Sequence, residues 1–182
     1  VVVTIWTIGH STHSSDELIA LLKEHQLESL VDIRAFPSSA RNPQFNRQNL
    51  GQRLSEEGLI YHWLGKELGG YRKKTGPNSS HIALVSPGFR DYADHMASED
   101  FLRGVLELEV LAAQKRLAVM CAEKLWWRCH RSLLSDYLVA CRGVEVLHIV
   151  GQGAVERHRL HRAARIAEGR LIYDLGEPMK LL

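Results

Sequence analysis

The chain has 182 residues, 45% of them hydrophobic and 24% charged, a balance that supports one substantial core and excludes extensive disorder. A formal net charge of +2 permits an anionic partner but lacks the large basic excess of a dedicated nucleic-acid binder. The three cysteines, Cys121, Cys129 and Cys141, are odd in number and crowded together, which argues against a secreted disulfide framework and fits a reducing cytoplasm.

Val1-Val2-Val3 runs into a polar segment with no basic leader or long apolar stretch, so neither export nor membrane insertion is expected. Val2 to Ile8 reads as a β-branched strand, followed by the turn Gly9-His10-Ser11-Thr12. A helix is predicted from near Ser15, capped by Ser14 or Ser15, with Asp16 and Glu17 in its first turn and Leu18, Leu21 and Leu22 as its buried stripe. Ser29 to Ile33 is the next strand, and Pro37 stops regular structure after Asp32-Ile33-Arg34. Leu50 and Leu54 place a helix over Arg47 to Glu57, stopped by Gly58, and Leu59 to Leu64 is a short strand.

Residues 65 to 87 read as a long polar loop broken by Gly69-Gly70 and Gly76-Pro77. Helical spacing returns over Asp91 to Met96 and Phe101 to Ala113, where Leu102, Val105, Leu106, Leu108 and Leu111 mark an expected buried face. Arg116 to Met120 is a buried strand, so Cys121 falls at its carboxyl end, and Cys129-His130-Arg131 opens a helix. Val144 to Val150 reads as a strand, Glu156 to Ala167 as a helix, and Leu171 to Tyr173 as a final strand. Strands separated by helices predict a single α/β domain over residues 1–182, with a largely parallel sheet of about five to six strands flanked by helices. A partial or distorted βα barrel is the alternative.

In parallel sheets the loops after the strand ends form the ligand crevice. That rule gathers His10 and Ser11, Asp32 and Arg34, and Cys121 and Glu123 on one edge. Arg34 and Arg131 suit anion clamping, or internal ion pairs with Asp32 or Glu123. Asp32 and Glu123 are candidate acid–base groups. Cys121 and Cys129 fit either small buried side chains or reactive thiols, the latter favoured by the positive amino terminus of a helix. Arg128 lies seven positions after Cys121, with Trp126-Trp127 between, which departs from a phosphatase cradle, and a redox pair would more typically be C-x-x-C.

Four residues, Cys121, Cys129, His130 and His10, could converge on a metal, although their spacing matches no zinc ribbon or finger. Trp126 and Trp127 are either a base-stacking platform or a loop plug. Tyr71 to Lys74 and Arg157 to Arg165 are the basic stretches available to a nucleic acid. His148 and Cys141 are expected to be structural.

The pieces Thr7-Ile8-Gly9-His10-Ser11, Asp32-Ile33-Arg34, Pro37-Ser38, Leu64-Gly65-x-x-Leu68-Gly69-Gly70, Cys121-Ala122-Glu123 and Cys129-His130-Arg131 together resemble the domain of unknown function 488 family. The resemblance runs from about Thr4 to Gly151, and it implies a site map more than a reaction.

The expected function is a cytoplasmic enzyme, a hydrolase or transferase, binding an anionic small molecule such as a nucleotide or a modified nucleic-acid component. Its catalytic candidates are Cys121, Glu123, Asp32 and His10, and its binding candidates are Ser11, Arg34, Cys129, His130 and Arg131. No sequence pattern specifies a cofactor or an oligomeric state. A noncatalytic nucleic-acid-binding module and a Cys/His metal-binding protein are the alternatives.

Overall fold

The computed structural model describes residues 3–74 and 76–176. Six strands form one sheet, β1 (Thr4–Gly9), β2 (Ser29–Asp32), β3 (Ile60–Trp63), β4 (Leu117–Cys121), β5 (Glu145–Gly151) and β6 (Ala154–Arg157), in the order β3-β2-β4-β1-β5-β6. All neighbours are parallel except β6, which returns antiparallel along β5. The sheet is open, which excludes the barrel alternative.

Helices cover both faces because each carries a buried stripe. α1 (Ser15–Glu24) begins with a reciprocal Ser14–Glu17 capping box and buries Leu18, Ile19, Leu21 and Leu22. With α2 (Arg47–Glu56), it packs against Ile8, Leu30, Ala118, Met120 and Ile149. On the other face, α4 (Pro87–His95), α5 (Glu99–Gln114) and α6 (Arg131–Arg142) meet Ile5, Val31, Leu117, Val119, Cys121 and Val146. Alternation along β4 therefore sends Leu117, Val119 and Cys121 toward α6, while Ala118 and Met120 face α1 and α2. α6 ends at Gly143, whose φ of 67° supplies the left-handed cap.

Four expectations need correction. Residues 156–167 are not a helix: they hold the end of β6, a turn, and β7 (Ala164–Ala167), which pairs with β8 (Arg170–Tyr173) in a separate two-stranded sheet. Asp136 draws His158 and the His161 backbone inward, and that tertiary anchoring overrides helical spacing. The expected loop at 65–87 contains a single helical turn, α3 (Gly65–Leu68), whose terminal carbonyls at Lys66, Glu67 and Gly69 accept from the Arg72 guanidinium. In α5, Val105 and Leu108 are buried as expected, but Leu102 and Leu106 are exposed, and Phe101 and Gly104 complete the buried face. A single 3-10 turn, Trp126–Arg128, precedes α6, so the helix opens at Arg131 with His130 as its cap residue. Val2, expected in the first strand, lies outside the described residues.

Candidate active site

Register sets the site. Gly9 lies level with Cys121, and Asp32 with Met120, so β1, β2 and β4 end together. Beyond them opens a cleft of about 710 Å³, whose lining includes His10, Ser11, Arg34, Cys121, Glu123 and Cys129, with His130 beside them. The strand ends are bound to one another: the His10 and Ser11 amides donate to the Cys121 and Ala122 carbonyls at 2.9 and 3.0 Å. A Cβ on Gly9 would lie 2.0 Å from the Glu123 carbonyl oxygen, so only glycine allows the loop after β4 to close over β1. Ser11 holds a φ of 47°, a costly conformation for a residue with a side chain.

The first wall is built on Asp32, which is fully buried. Its carboxylate accepts from the Arg34 amide, from Arg34 Nε at 2.9 Å and Nη2 at 2.6 Å, and from the Tyr61 hydroxyl at 2.7 Å. Arg34 also donates through Nη2 to the Phe45 carbonyl, and its Nη1 lies 3.2 Å from His10 Nε2. His10 stacks on Phe45 with ring centroids 4.2 Å apart. Burial lowers the His10 pKa to about 4 against the opposing effect of a bond to the Ser11 carbonyl. The neutral ring accepts from Arg34 on Nε2 and donates from Nδ1 to Ser11. Asp32 itself does not line the cleft, whereas Arg34 does.

The floor is the cysteine pair. Cys121 ends β4 and Cys129 precedes α6, each almost completely buried at 8% and 5% exposure. His130 Nδ1 lies 3.9 Å from Cys121 Sγ and 3.6 Å from Cys129 Sγ. The bond to Cys129, followed by burial, holds the Cys121 thiol well above its ordinary range. Burial alone would raise Cys129 too, but the bond from Cys121, the neighbouring His130 and Arg131 hold it well below that range. The two thiols therefore push each other in opposite directions, with Cys129, beside the helix entry, the more acidic of the pair. The His130 ring is seated by packing, 5.1 Å from the Tyr92 ring and so close to Gly70 that a Cβ there would lie 2.7 Å from Nδ1.

Behind the floor runs a second buried polar chain. Asp136 accepts from Tyr173 Oη at 2.9 Å and from the His161 amide at 3.0 Å, and lies 2.8 Å from His158 Nε2. His158 Nδ1 is 2.9 Å from His148 Nε2, and His148 Nδ1 is 2.6 Å from Thr7 Oγ1. Thr7 accepts in turn from Arg131 Nη1 at 3.4 Å. A carboxylate at Asp136 orders every proton in this series toward itself, from Arg131 through Thr7, His148 and His158. Burial pushes the His148 pKa down to about 2, with His158 and Arg131 adding to the shift. Arg131 Nη2 donates to the Glu123 carbonyl at 2.5 Å, so this chain positions the loop that carries Glu123. Arg131 is buried behind the cleft and pairs with that carbonyl rather than with the Glu123 carboxylate, which is exposed and accepts from the Leu125 amide.

The rim adds Phe36, Lys124, Ser39 and Asn42, which the sequence did not single out, to Tyr71 and Ser38, which it marked only within a basic stretch and a family motif. Phe36 and Tyr71 are 72% and 80% exposed, with ring centroids 5.8 Å apart, and both line the cleft. Lys124 lines it as well, with Ser38, Ser39 and Asn42. Trp126 is a plug: it stacks at 4.2 Å on His148 and donates to Glu156. Cys141 packs against the core from α6, away from the cleft.

A family model described as "Domain of unknown function DUF488" matches residues 14–138. The chain belongs to this family. The matched span of the family domain includes Asp32, Arg34 and the whole Cys121–Arg131 segment, while His10 and Ser11 precede it. No curated protein and no solved structure matches the chain. Among the described residues, no helix is long and apolar enough to cross a membrane.

Proposed function

We propose that the chain is an enzyme, a hydrolase or transferase, that binds an anionic small molecule carrying a planar ring, with the nucleotide as the model ligand. The observation that carries this reading is a single cleft with two thiols and an imidazole at its floor, Arg34 and Lys124 on its walls, and an exposed aromatic pair at its rim. Cationic side chains and the amino end of the twelve-residue α6 favour the anion, while Phe36 and Tyr71 offer flat apolar faces to a ring. Glu123 is the carboxylate that faces the cleft and supplies the acid–base group. Asp32 and His10 hold Arg34 in place, and the Cys121, Cys129 and His130 cluster is the reactive centre.

Thermal unfolding with a nucleoside monophosphate, the matching nucleoside and inorganic phosphate tests the reading. The monophosphate should raise Tm more than either fragment, and Lys124→Ala and Phe36→Ala should each reduce that rise. A Tm unmoved by any of the three, across a concentration series, defeats it.

A further inference from the structure

Cys121, Cys129 and His130 differ from an ordinary cluster of buried polar groups in how their donor atoms face one another. Cys121 Sγ, Cys129 Sγ and His130 Nδ1 all lie within 4.8 Å of each other. The nitrogen sits 3.6 Å from one sulfur and 3.9 Å from the other. A tetrahedral ion with ordinary metal–sulfur and metal–nitrogen bonds places sulfur and nitrogen ligands about 3.6 Å apart. The two sulfur-to-nitrogen edges of this triangle are therefore already close to the size such an ion requires.

We infer that Cys121, Cys129 and His130 form a binding site for a thiophilic divalent cation of the zinc type, with its fourth position open to the cleft. Each donor is fixed by a different support. Cys121 is held by strand pairing to Gly9 and by the His10 amide on its carbonyl. Cys129 is held by the Ser132 amide and hydroxyl on its carbonyl, and its sulfur accepts from the Arg131 amide at 3.5 Å, the kind of bond that steadies a ligating thiolate. His130 is wedged between Gly70 and Tyr92. With Nδ1 on the metal the ring proton sits on Nε2, a buried atom with no hydrogen-bond partner among the described residues, so packing alone orients the ring.

Charge and donor chemistry select the ion. Two thiolates and a neutral imidazole make a divalent site electrically neutral. Sulfur and imidazole suit zinc and its congeners, while magnesium and calcium need oxygen ligands, and Glu123 is the single carboxylate among the described residues that line the cleft. All three donors border the cleft, so the fourth vertex takes a water or an anionic oxygen of the ligand, the arrangement of a catalytic rather than a closed structural site. The inference deepens the reading of this pocket as a reactive centre and rests on it only for the use of that open position.

The test uses the full chain, purified without a metal-affinity step, stripped with a chelator and titrated with cobalt(II). Wild type should take up about one equivalent and develop thiolate-to-cobalt charge-transfer absorption with strong tetrahedral visible bands. Cys129→Ser and His130→Ala should lose most of that signal, and Cys141→Ser should keep it. Should a variant fail to fold, alkylation of wild type serves instead: zinc should protect Cys121 and Cys129 at least tenfold and leave Cys141 unchanged. A folded wild type that binds less than a tenth of an equivalent, or equal protection of all three cysteines, overturns the inference. Metal uptake without any response to the nucleoside monophosphate would retain the metal site and remove the proposed ligand.

Discussion

Two buried networks flank the cysteine floor, and each links a carboxylate to an arginine by a different route. On the β2 side Asp32 grips Arg34 directly, through both of its oxygens. On the β5 side Asp136 reaches Arg131 only through His158, His148 and Thr7. The direct pair leaves Arg34 bordering the cleft, its guanidinium shared among Asp32, His10 and the Phe45 carbonyl. The relayed network spends its arginine on the Glu123 carbonyl and fixes the loop that forms the cleft wall. Direct pairing delivers a cation to the cleft, and relayed pairing delivers geometry.

The largest expected effect comes from cutting the direct pair. Asp32→Ala strands a buried guanidinium and should cost about 3–5 kcal/mol in urea unfolding. Asp136→Ala removes the acceptor for the Tyr173 hydroxyl, the His161 amide and the His158 ring, and should cost about 2–3 kcal/mol. A larger loss for Asp136→Ala than for Asp32→Ala would break the distinction between the networks.

Gly70→Ala should come next, at about 1–3 kcal/mol, because its Cβ meets the His130 ring. The same change should speed alkylation of Cys121 and Cys129, and unchanged thiol kinetics would show that the ring does not guard them.

The relayed network also predicts a pH response. His148 has a folded pKa of about 2 against an unfolded value near 6.5, so the unfolded chain binds the extra proton between those limits. Stability contributed by neutral His148 is therefore complete above about pH 6.5 and is lost progressively as pH falls below it. The groups facing the ring are Thr7, His158, Arg131 and Trp126, and none is a carboxylate that would stabilise its charge. His148→Gln should flatten the fall in Tm between pH 6.5 and 4, and an unchanged slope would assign that limb to other groups.

The smallest effect belongs to the rim. Phe36→Ala removes a side chain that is 72% exposed and should change stability by no more than about 0.5 kcal/mol. It should still weaken nucleotide binding, which isothermal titration measures directly.

Much of this organisation is legible in particular residues. Ser14, Asp16 and Glu17 announce α1 because a capping box is a local device, and the apolar run before Cys121 announces a buried strand because β4 is covered on both faces. The strand-end rule then gathers His10, Arg34, Cys121 and Glu123 around one cleft. Arg157 to Arg165 misleads for the opposite reason. Its spacing suits a helix, yet His158 is claimed by a carboxylate 22 residues away and the preceding segment by the free edge of β5. Tyr61 and Phe45 carry no local signal either, since a tyrosine in an edge strand and a phenylalanine in a short 3-10 turn acquire meaning only from the Asp32 and His10 they meet.

The sequence by itself determined the α/β class, the order of most strands and helices, and which side chains end up at the strand ends. These follow from periodicity, caps and turns within a few residues. Only the tertiary structure decided what those side chains do to one another. It turned Asp32 inward onto Arg34, sent Arg131 to a backbone carbonyl, and brought His130 against two sulfurs from different elements. Sheet register and helix packing set those distances across long separations in the chain, and chemical spacing is a property of the fold.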